Sequence, residues 1–414
     1  MLSRSRPPAI DPVAGASALV VRVALMILLI GALIASVATR QAVYAVVPVG
    51  AALTLVGWLL EPDMRGPRRL QHAALTPAGL GALFLFGWTA LSLLWTPFAV
   101  GPTERFVKTV ATAGLVAVAT AFLPERTKTS NLYLLPIGAI AGAATLVAAV
   151  VLRWDPPTPP GELTVLDRAA LGLSLVFWPG IAGLLIRAKR GLAIALAALT
   201  VAGVVAVGTP VALVALAVSG AVWLLSRGRP MDVAQVSGWI WAALLLLSPL
   251  IALALSSFFD PTSLPALADR AIIWGDIVAK DGVRTIIGHG FESAARAVAA
   301  GYLPYTTNRS AFFELWFELG LVGVGAAAFV VARLFAVAGA APGPVAPLLL
   351  GGLTNALVIS GFSVGVSPIW WVTFLALDAL AFALVLRGQF KGRRPSVRDI
   401  AARIPAANLP RARS

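Results

Sequence analysis

The chain has 414 residues, of which 59% are hydrophobic and only 12% are charged, and its mean hydropathy is +0.90. A soluble domain carries about a quarter charged residues, so this composition excludes a soluble enzyme, a disordered protein and a coiled coil. In a membrane protein, a net charge of +14 is typical of basic loops and does not indicate nucleic-acid binding. Cysteine is absent and only two histidines occur, His72 and His289, so we expect neither a metal site nor a cofactor.

Twelve apolar segments, each long enough to cross a hydrocarbon core of about 30 Å, alternate with prolines, arginines and charged clusters. The sequence therefore predicts an all-α, polytopic membrane protein of about twelve transmembrane helices. The first span is too long for a signal-peptide core, and we expect it to be retained. The predicted spans are 18–38, 42–60, 78–95, 106–123, 132–152, 168–186, 191–207, 210–226, 239–257, 314–338, 344–362 and 367–387.

The basic residues predict the orientation of these spans. If the N-terminus is cytoplasmic, the leader and loops on its side hold twelve Lys and Arg residues, and the chain after residue 386 holds eight more. The short outer loops hold five, which are Arg40, Arg105, Lys108, Arg153 and Arg168. This bias predicts that both termini are cytoplasmic. The predicted units are residues 1–257 with helices 1–9, a periplasmic loop at 258–313, residues 314–387 with helices 10–12, and a basic cytoplasmic tail at 388–414.

The predicted periplasmic loop, residues 258–313, is the longest polar stretch of the chain. A connection of this length between helices is usually functional. Its basic residues run against the orientation bias, so we expect an anionic substrate on this side of the membrane. The charged residues of the loop are Asp269, Arg270, Asp276, Lys280, Asp281, Arg284, Glu292, Arg296 and Arg309.

Three short patterns follow one another in this region. Residues 270–274 read R-x-x-x-W, residues 288–291 read G-x-G-F, and residues 312–323 read F-x-E-x-W-x-E-x-G-x-x-G. Together with Leu94–Pro97 and Leu166–Ala169, which adjoin earlier spans, this order resembles the O-antigen ligase and polysaccharide polymerase superfamily. The resemblance covers most of the chain.

The resemblance implies a metal-independent glycosyltransferase of the bacterial inner membrane. It implies an undecaprenyl-diphosphate-linked glycan as donor, with lipid A–core or a second lipid-linked glycan as acceptor at the periplasmic face. Besides these, we expect membrane lipids as partners and no nucleic acid. Arginine guanidiniums bind a diphosphate leaving group bidentately, which suits this chemistry. The implied catalytic residues are Arg270, Arg309, Glu318 and His289, and the implied substrate-binding residues are Arg168, Trp274, Arg284, Asn308 and Trp316.

Several of these residues also have structural interpretations. Arg270 either contacts the phosphate or pairs with Asp269 or Asp276. Arg168 either reaches a lipid diphosphate or extends to the membrane interface beside Asp167. For Glu318 we expect helix capping or pairing with Arg270 or Arg309, in preference to direct proton abstraction. For Asp378, within the last predicted span, we expect a structural hydrogen bond to Asn355 or Thr354, in preference to a proton-relay role.

The chain departs from the family pattern at one position of chemical importance. The family usually carries a histidine just before the F-x-E-x-W-x-E helix, whereas residues 305–310 of this chain contain none. Arg309 is nearest to that position, and an arginine does not act as a general base at neutral pH. His289 is either a substitute base or the middle residue of a tight glycine-flanked turn.

Two other functions remain open from the sequence. A flippase or transporter for lipid-linked oligosaccharides would bury charge near the membrane midplane and show internal repeats. A non-catalytic scaffold in polysaccharide assembly would account for the missing histidine. An arginine-lined cavity at the outer face would favour the enzyme, and a central pore would favour transport.

Overall fold

The computed structural model describes residues 12–39, 41–62, 65–98, 101–124, 129–158, 162–258, 273–275, 277, 283–304, 307 and 309–388. Helices dominate these residues, as the composition predicted. They are α1 (Pro12–Ala38), α2 (Ala42–Leu60), α3 (Arg65–Leu75), α4 (Pro77–Ser92), α5 (Gly101–Phe122), α6 (Ser130–Val151), α7 (Val165–Leu185), α8 (Arg190–Val207), α9 (Pro210–Ser226), α10 (Pro230–Phe258), α11 (Arg284–Ile287), α12 (Ser293–Ala299), α13 (Ala311–Gly339), α14 (Ala346–Phe362) and α15 (Ile369–Leu386).

Among the described residues, nine helices are long and apolar enough to cross a membrane. A tenth span results if α3 and α4, which meet at an angle of 76°, are counted as one. Helices α9 and α14 are apolar but have only 17 residues each. For the described residues, an all-helical fold whose helices suit a membrane by length and composition is therefore confirmed, whereas the number of twelve spans stays a prediction.

Helix α3 was not predicted, because its basic residues place it in a polar connection of the sequence. It is amphipathic, and Arg69 on its polar side donates hydrogen bonds to the carbonyl oxygens of Ala121 (3.3 Å) and Leu123 (3.0 Å). Arg387 donates to Leu123 (3.1 Å) from another direction. These two arginines cap the carbonyl groups at the C-terminal end of α5, which have no partner within the helix.

Helix α7 lies at the centre of the bundle and contacts α6, α8, α14 and α15. Small residues allow these helices to approach closely. A Cβ atom at Gly172 would overlap the ring of Phe374, and one at Gly351 would overlap the ring of Trp178. Interlocking of glycines with aromatic rings therefore fixes the centre of the bundle.

Helix α13 is broken at Gly320, whose φ of 63° and ψ of −167° are not helical. The break frees carbonyl groups that would otherwise accept bonds from the next turn. The Phe317 carbonyl accepts from the backbone N–H of His289 (2.8 Å), and the Glu318 carbonyl accepts from that of Gly290 (2.9 Å). The Leu319 carbonyl accepts from the indole N–H of Trp88 (2.9 Å). The loop at 288–290 and helix α4 thus replace the lost helical hydrogen bonds.

The prediction for Asp378 was wrong. Asn355 donates its side-chain N–H to the carbonyl oxygen of Ser174 (3.0 Å) instead. Among the described residues, Asp378 Oδ1 and Thr354 Oγ1 have no hydrogen-bond partner. The Asn355 side chain therefore joins α14 to α7 and not to Asp378.

Candidate functional site

A cavity of about 490 Å³ lies at one end of the helix bundle. Its wall is formed by the starts of α2, α5, α7 and α15, by helix α12, and by the segments that lead into α13 and out of α14. We call it the cationic cavity, because five lysine or arginine residues and three glutamates line it. These charged residues are Glu104, Arg105, Lys108, Glu162, Arg168, Glu292, Arg296 and Arg309.

Ion pairs hold most of these side chains in defined positions. Arg168 Nη2 lies 2.7 Å from Glu162 Oε2, and Lys108 pairs with Glu104 one turn earlier on α5. The guanidinium of Arg168 also lies over the ring of Trp370, 5.7 Å from its centroid. Because the basic residues outnumber the acidic ones, the cavity keeps a positive charge that suits an anionic ligand.

Glu292 forms the centre of one charged cluster. Its side chain is only 4% exposed, and its φ of 61° is unusual for a residue other than glycine. Its Oε1 atom lies 2.8 Å from Arg105 Nε, while its Oε2 atom lies 3.1 Å from both Arg296 Nε and Arg296 Nη2. One carboxylate from the loop before α12 therefore joins arginines from α5 and α12.

Glu314 supports the wall of the cavity from behind. Its carboxylate is fully buried and accepts the backbone N–H groups of Val366 (2.8 Å) and Ser367 (3.5 Å), and Arg309 Nε lies 3.3 Å away. A Cβ atom at Gly365 would overlap this carboxylate. Glu314 thus fastens the α14–α15 connection to the start of α13.

Asp167, which precedes Arg168, has partners of its own at the N-terminus of α7, and the choice between a lipid diphosphate and the membrane interface for Arg168 stays a prediction. Asp167 and Thr164 form a capping box at the N-terminus of α7. Asp167 Oδ1 also accepts a hydrogen bond from the hydroxyl of Thr209 (2.8 Å). With Asp167 engaged in this way, Arg168 pairs with Glu162 and faces the cavity.

The predicted residues His289, Trp274, Arg284 and Trp316 meet at a second, much smaller cavity of about 20 Å³. His289 Nδ1 hydrogen-bonds to the carbonyl oxygen of Phe317 (3.0 Å), and its ring stacks on the Phe317 ring at 4.2 Å. The indole N–H of Trp316 donates to the carbonyl oxygen of Leu245 (2.8 Å). A sugar does not fit into 20 Å³, and none of these four residues lines the cationic cavity.

Glu318 was expected to cap a helix or to pair with Arg270 or Arg309. Within the described residues, Arg309 pairs with Glu314, whose Oε1 atom lies 3.3 Å from Arg309 Nε. Glu318 is fully buried, and its carboxylate accepts the backbone N–H of Ala294 (3.3 Å) at the start of α12. Of the predicted site residues, Arg270 and Asn308 lie outside the described residues.

The structure also brings together two of the sequence patterns. The indole N–H of Trp95 donates to the carbonyl oxygen of Gly288 (3.2 Å), and the backbone N–H of Phe291 donates to the hydroxyl of Ser92 (3.1 Å). A Cβ atom at Gly290 would overlap the backbone of Thr96. The segment after α4 is therefore packed against the G-x-G-F loop.

Six charged residues of the cationic cavity were missed as site residues: Glu104, Arg105, Lys108, Glu162, Glu292 and Arg296. Arg105 and Lys108 had a detectable signal, because they are basic residues in a predicted outer segment that the orientation bias should keep free of them. Arg296 is likewise a basic residue on the predicted outer side, within the long loop. The partnership of Glu292 with Arg105 joins positions 187 residues apart, and spacing alone does not reveal it.

In comparisons with known proteins, no family model matches the chain and no curated protein matches it significantly.

Chemically, the arrangement presents guanidinium and ammonium groups to one space at the end of apolar helices. Guanidinium groups bind phosphate through two parallel hydrogen bonds. The residues present therefore suit an amphiphile with a phosphate-containing head.

Proposed function

We propose that the chain is a glycosyltransferase of the bacterial inner membrane. It moves a glycan from an undecaprenyl-diphosphate donor to a sugar acceptor at the periplasmic face. The observation that carries this proposal is the cationic cavity, where five basic side chains meet at the end of apolar helices. A lipid-linked donor places its diphosphate at such a depth, while its polyprenyl chain stays in the bilayer.

The reaction is a displacement at the anomeric carbon of the donor glycan. The acceptor hydroxyl oxygen forms a bond to that carbon, and the bond from the carbon to the diphosphate oxygen breaks. The electron pair leaves with the diphosphate, and the hydroxyl proton passes to an oxygen of the departing diphosphate. Guanidinium groups that are already fixed in place stabilise the developing charge without reorganisation. We assign this role to Arg105, Arg168, Arg296 and Arg309.

The distribution of charge supports a periplasmic location of the cavity. The opposite ends of the helices carry many basic residues, among them Arg65, Arg69, Arg190 and Arg227. By the positive-inside rule, that end is cytoplasmic. We propose twelve spans, which are the nine long helices, the bent α3–α4 pair, α9 and α14. This number leaves both termini in the cytoplasm.

The position of the charges favours an enzyme over a transporter. Transporters hold substrate near the membrane midplane on discontinuous helices. Here Arg105 and Arg168 lie in the first turns of α5 and α7, and Arg309 precedes α13. The cationic groups thus gather at one membrane surface, which suits transfer at that surface.

Deletion of the gene tests the proposal and separates its two forms. Loss of capped lipopolysaccharide on gels identifies a ligase that uses lipid A–core. Loss of long exopolysaccharide identifies a polymerase that uses a second lipid-linked glycan. If both products are unchanged, the proposal is wrong.

Complementation distinguishes an enzyme from a scaffold. Arg105→Gln should fail to restore the product, whereas the control Arg190→Gln, at the opposite end of the bundle, should restore it. Restoration by Arg105→Gln at normal protein level would contradict donor binding. With purified protein in liposomes, we expect transfer to continue in EDTA, and a loss that Mg²⁺ reverses would contradict metal independence.

A further inference from the structure

We propose that Glu292 is a positioning residue that holds Arg105 and Arg296 as a pair, so that the cavity prefers a lipid diphosphate to a lipid monophosphate. This inference rests on the proposed function and names the feature of the donor that the site recognises.

The first observation is how Glu292 itself is held. Its residue is 3% exposed, and its backbone adopts the left-handed conformation (φ 61°, ψ 12°) between Phe291 and helix α12. A residue other than glycine keeps this conformation only where its surroundings fix it. Here the preceding residue, Phe291, is anchored by its N–H to Ser92, and its ring meets that of Phe106 at 6.1 Å. The Glu292 carboxylate therefore extends from a backbone whose position is fixed.

The second observation is the division of the carboxylate between two guanidiniums. Glu292 Oε1 lies 2.8 Å from Arg105, and Glu292 Oε2 lies 3.1 Å from Arg296. Two guanidiniums that share a cavity repel each other, and a carboxylate between them offsets this repulsion. The group of three retains one positive charge, so it still attracts an anion.

The third observation is the number of donors that remain. A guanidinium has five N–H donors. Arg105 uses Nε towards Glu292, and Arg296 uses Nε and Nη2. Both side chains stay about one third exposed and line the cavity. Each arginine thus keeps N–H groups for a ligand after its bond to Glu292 is made.

These observations point to two linked anionic groups. Two guanidiniums with remaining donors, joined through one carboxylate, match the two phosphoryl groups of a diphosphate. A diphosphate offers each arginine a phosphoryl group of its own, whereas a monophosphate offers one group to both. The site should therefore bind a diphosphate more tightly than a monophosphate, because only the diphosphate has a second phosphoryl group.

Gly101 offers a way to disturb this pair without removing a charge. A Cβ atom at Gly101 would overlap the guanidinium of Arg296, which is the flexible end of its side chain. Gly101→Ala should therefore displace this guanidinium while the fold is retained. At Gly114, on the same helix, an added methyl group would meet no neighbour within 4 Å, so Gly114→Ala is the matched control.

The test uses the full-length protein in lipid nanodiscs and measures binding of undecaprenyl diphosphate and undecaprenyl phosphate. The wild type should bind undecaprenyl diphosphate at least about tenfold more tightly than undecaprenyl phosphate. A difference of this size corresponds to at least one charge-assisted hydrogen bond. Glu292→Gln and Gly101→Ala should lose most of this preference, mainly through weaker binding of the diphosphate. Gly114→Ala should keep it.

The outcomes separate the inference from the proposed function. If the wild type binds neither lipid, the proposed function fails, and this inference fails with it. If the wild type prefers the diphosphate and both variants keep that preference, Glu292 is not a positioning residue and the proposed function stands. If Glu292→Gln does not fold, Gly101→Ala decides alone, with thermal unfolding to show that it is folded.

Discussion

The carboxylate of Glu314 shows how one buried side chain shapes the cationic cavity. It accepts two backbone N–H groups from the α14–α15 connection and pairs with Arg309. A buried carboxylate is costly unless such partners satisfy it. Glu314 therefore has a structural role that its place in the F-x-E-x-W-x-E pattern does not reveal.

Substitution of Gly365 tests this role. A Cβ atom there would push against the Glu314 carboxylate, which its hydrogen bonds hold in place. We expect Gly365→Ala to lower the free energy of unfolding by about 1–3 kcal/mol, as other changes that disturb a buried polar network do. Gly343→Ala, where a methyl group meets no neighbour within 4 Å, is the control. Equal thermal stability of the two variants would show that the carboxylate moves freely.

The position of His289 leads to a second prediction at the residue scale. Its ring is hydrogen-bonded to the Phe317 carbonyl and stacked on the Phe317 ring, and it does not line the cationic cavity. We expect His289→Ala to reduce kcat far less than the about 100-fold that loss of a general base produces. A complete loss of transfer in a variant with normal expression would instead make His289 the base.

At the scale of elements, the break in α13 determines where the loop before α12 lies. The carbonyls released at Gly320 hold residues 289 and 290, and Glu292 follows two residues later. Gly288, Gly290 and Gly320 all have positive φ values, and side chains at these positions would meet neighbouring backbone. The broken helix, the glycine loop and the charged cluster therefore form one continuous unit.

Replacement of Gly320 should disrupt this unit. An alanine there is strained at φ 63° and would overlap the backbone of Ile286 and Gly288. We expect Gly320→Ala to destabilise the protein by about 2 kcal/mol or more and to abolish transfer. Gly325→Ala, in open space on the same helix, should be neutral or slightly stabilising. Thermal unfolding and a transfer assay on both variants provide the measurement.

The ends of the helices show how far the sequence predicts such elements. The apolar runs predicted spans from 106 and 314, whereas the helices begin at Gly101 and Ala311. A span predicted from hydropathy leaves out the first turn of a helix when that turn is polar. In α13 the helix starts directly after Ser310, whose side chain caps it by accepting the N–H of Phe313. The omitted first turn of α5 contains Arg105, so a boundary error hid a cavity residue.

The candidate site was less predictable than the fold for a related reason. Apolar periodicity and length report local burial, and they predicted helices well. Contacts such as Arg105 with Glu292 depend on which helix ends meet. The sequence patterns selected Trp274, Arg284 and Trp316, which the structure places at the small aromatic cavity with His289.

At the scale of the whole molecule, charge differs between the two ends of the bundle. One end holds the cationic cavity with its glutamates, and the other holds arginines such as Arg69 and Arg387, which cap the end of α5. Among the described residues, the cavity end brings five basic side chains together around one space. Orientation in the membrane therefore decides which compartment supplies the substrate.

Cysteine labelling tests that orientation, because the natural chain has no cysteine. Asp155 precedes α7 at the cavity end, Gly228 lies between α9 and α10 at the opposite end, and both are exposed. We expect a membrane-impermeant maleimide to label Asp155→Cys in spheroplasts, and to label Gly228→Cys only after the membrane is broken. Retained transfer activity would show that both variants are folded. The reverse labelling pattern would place the cavity in the cytoplasm, where a periplasmic acceptor does not reach it.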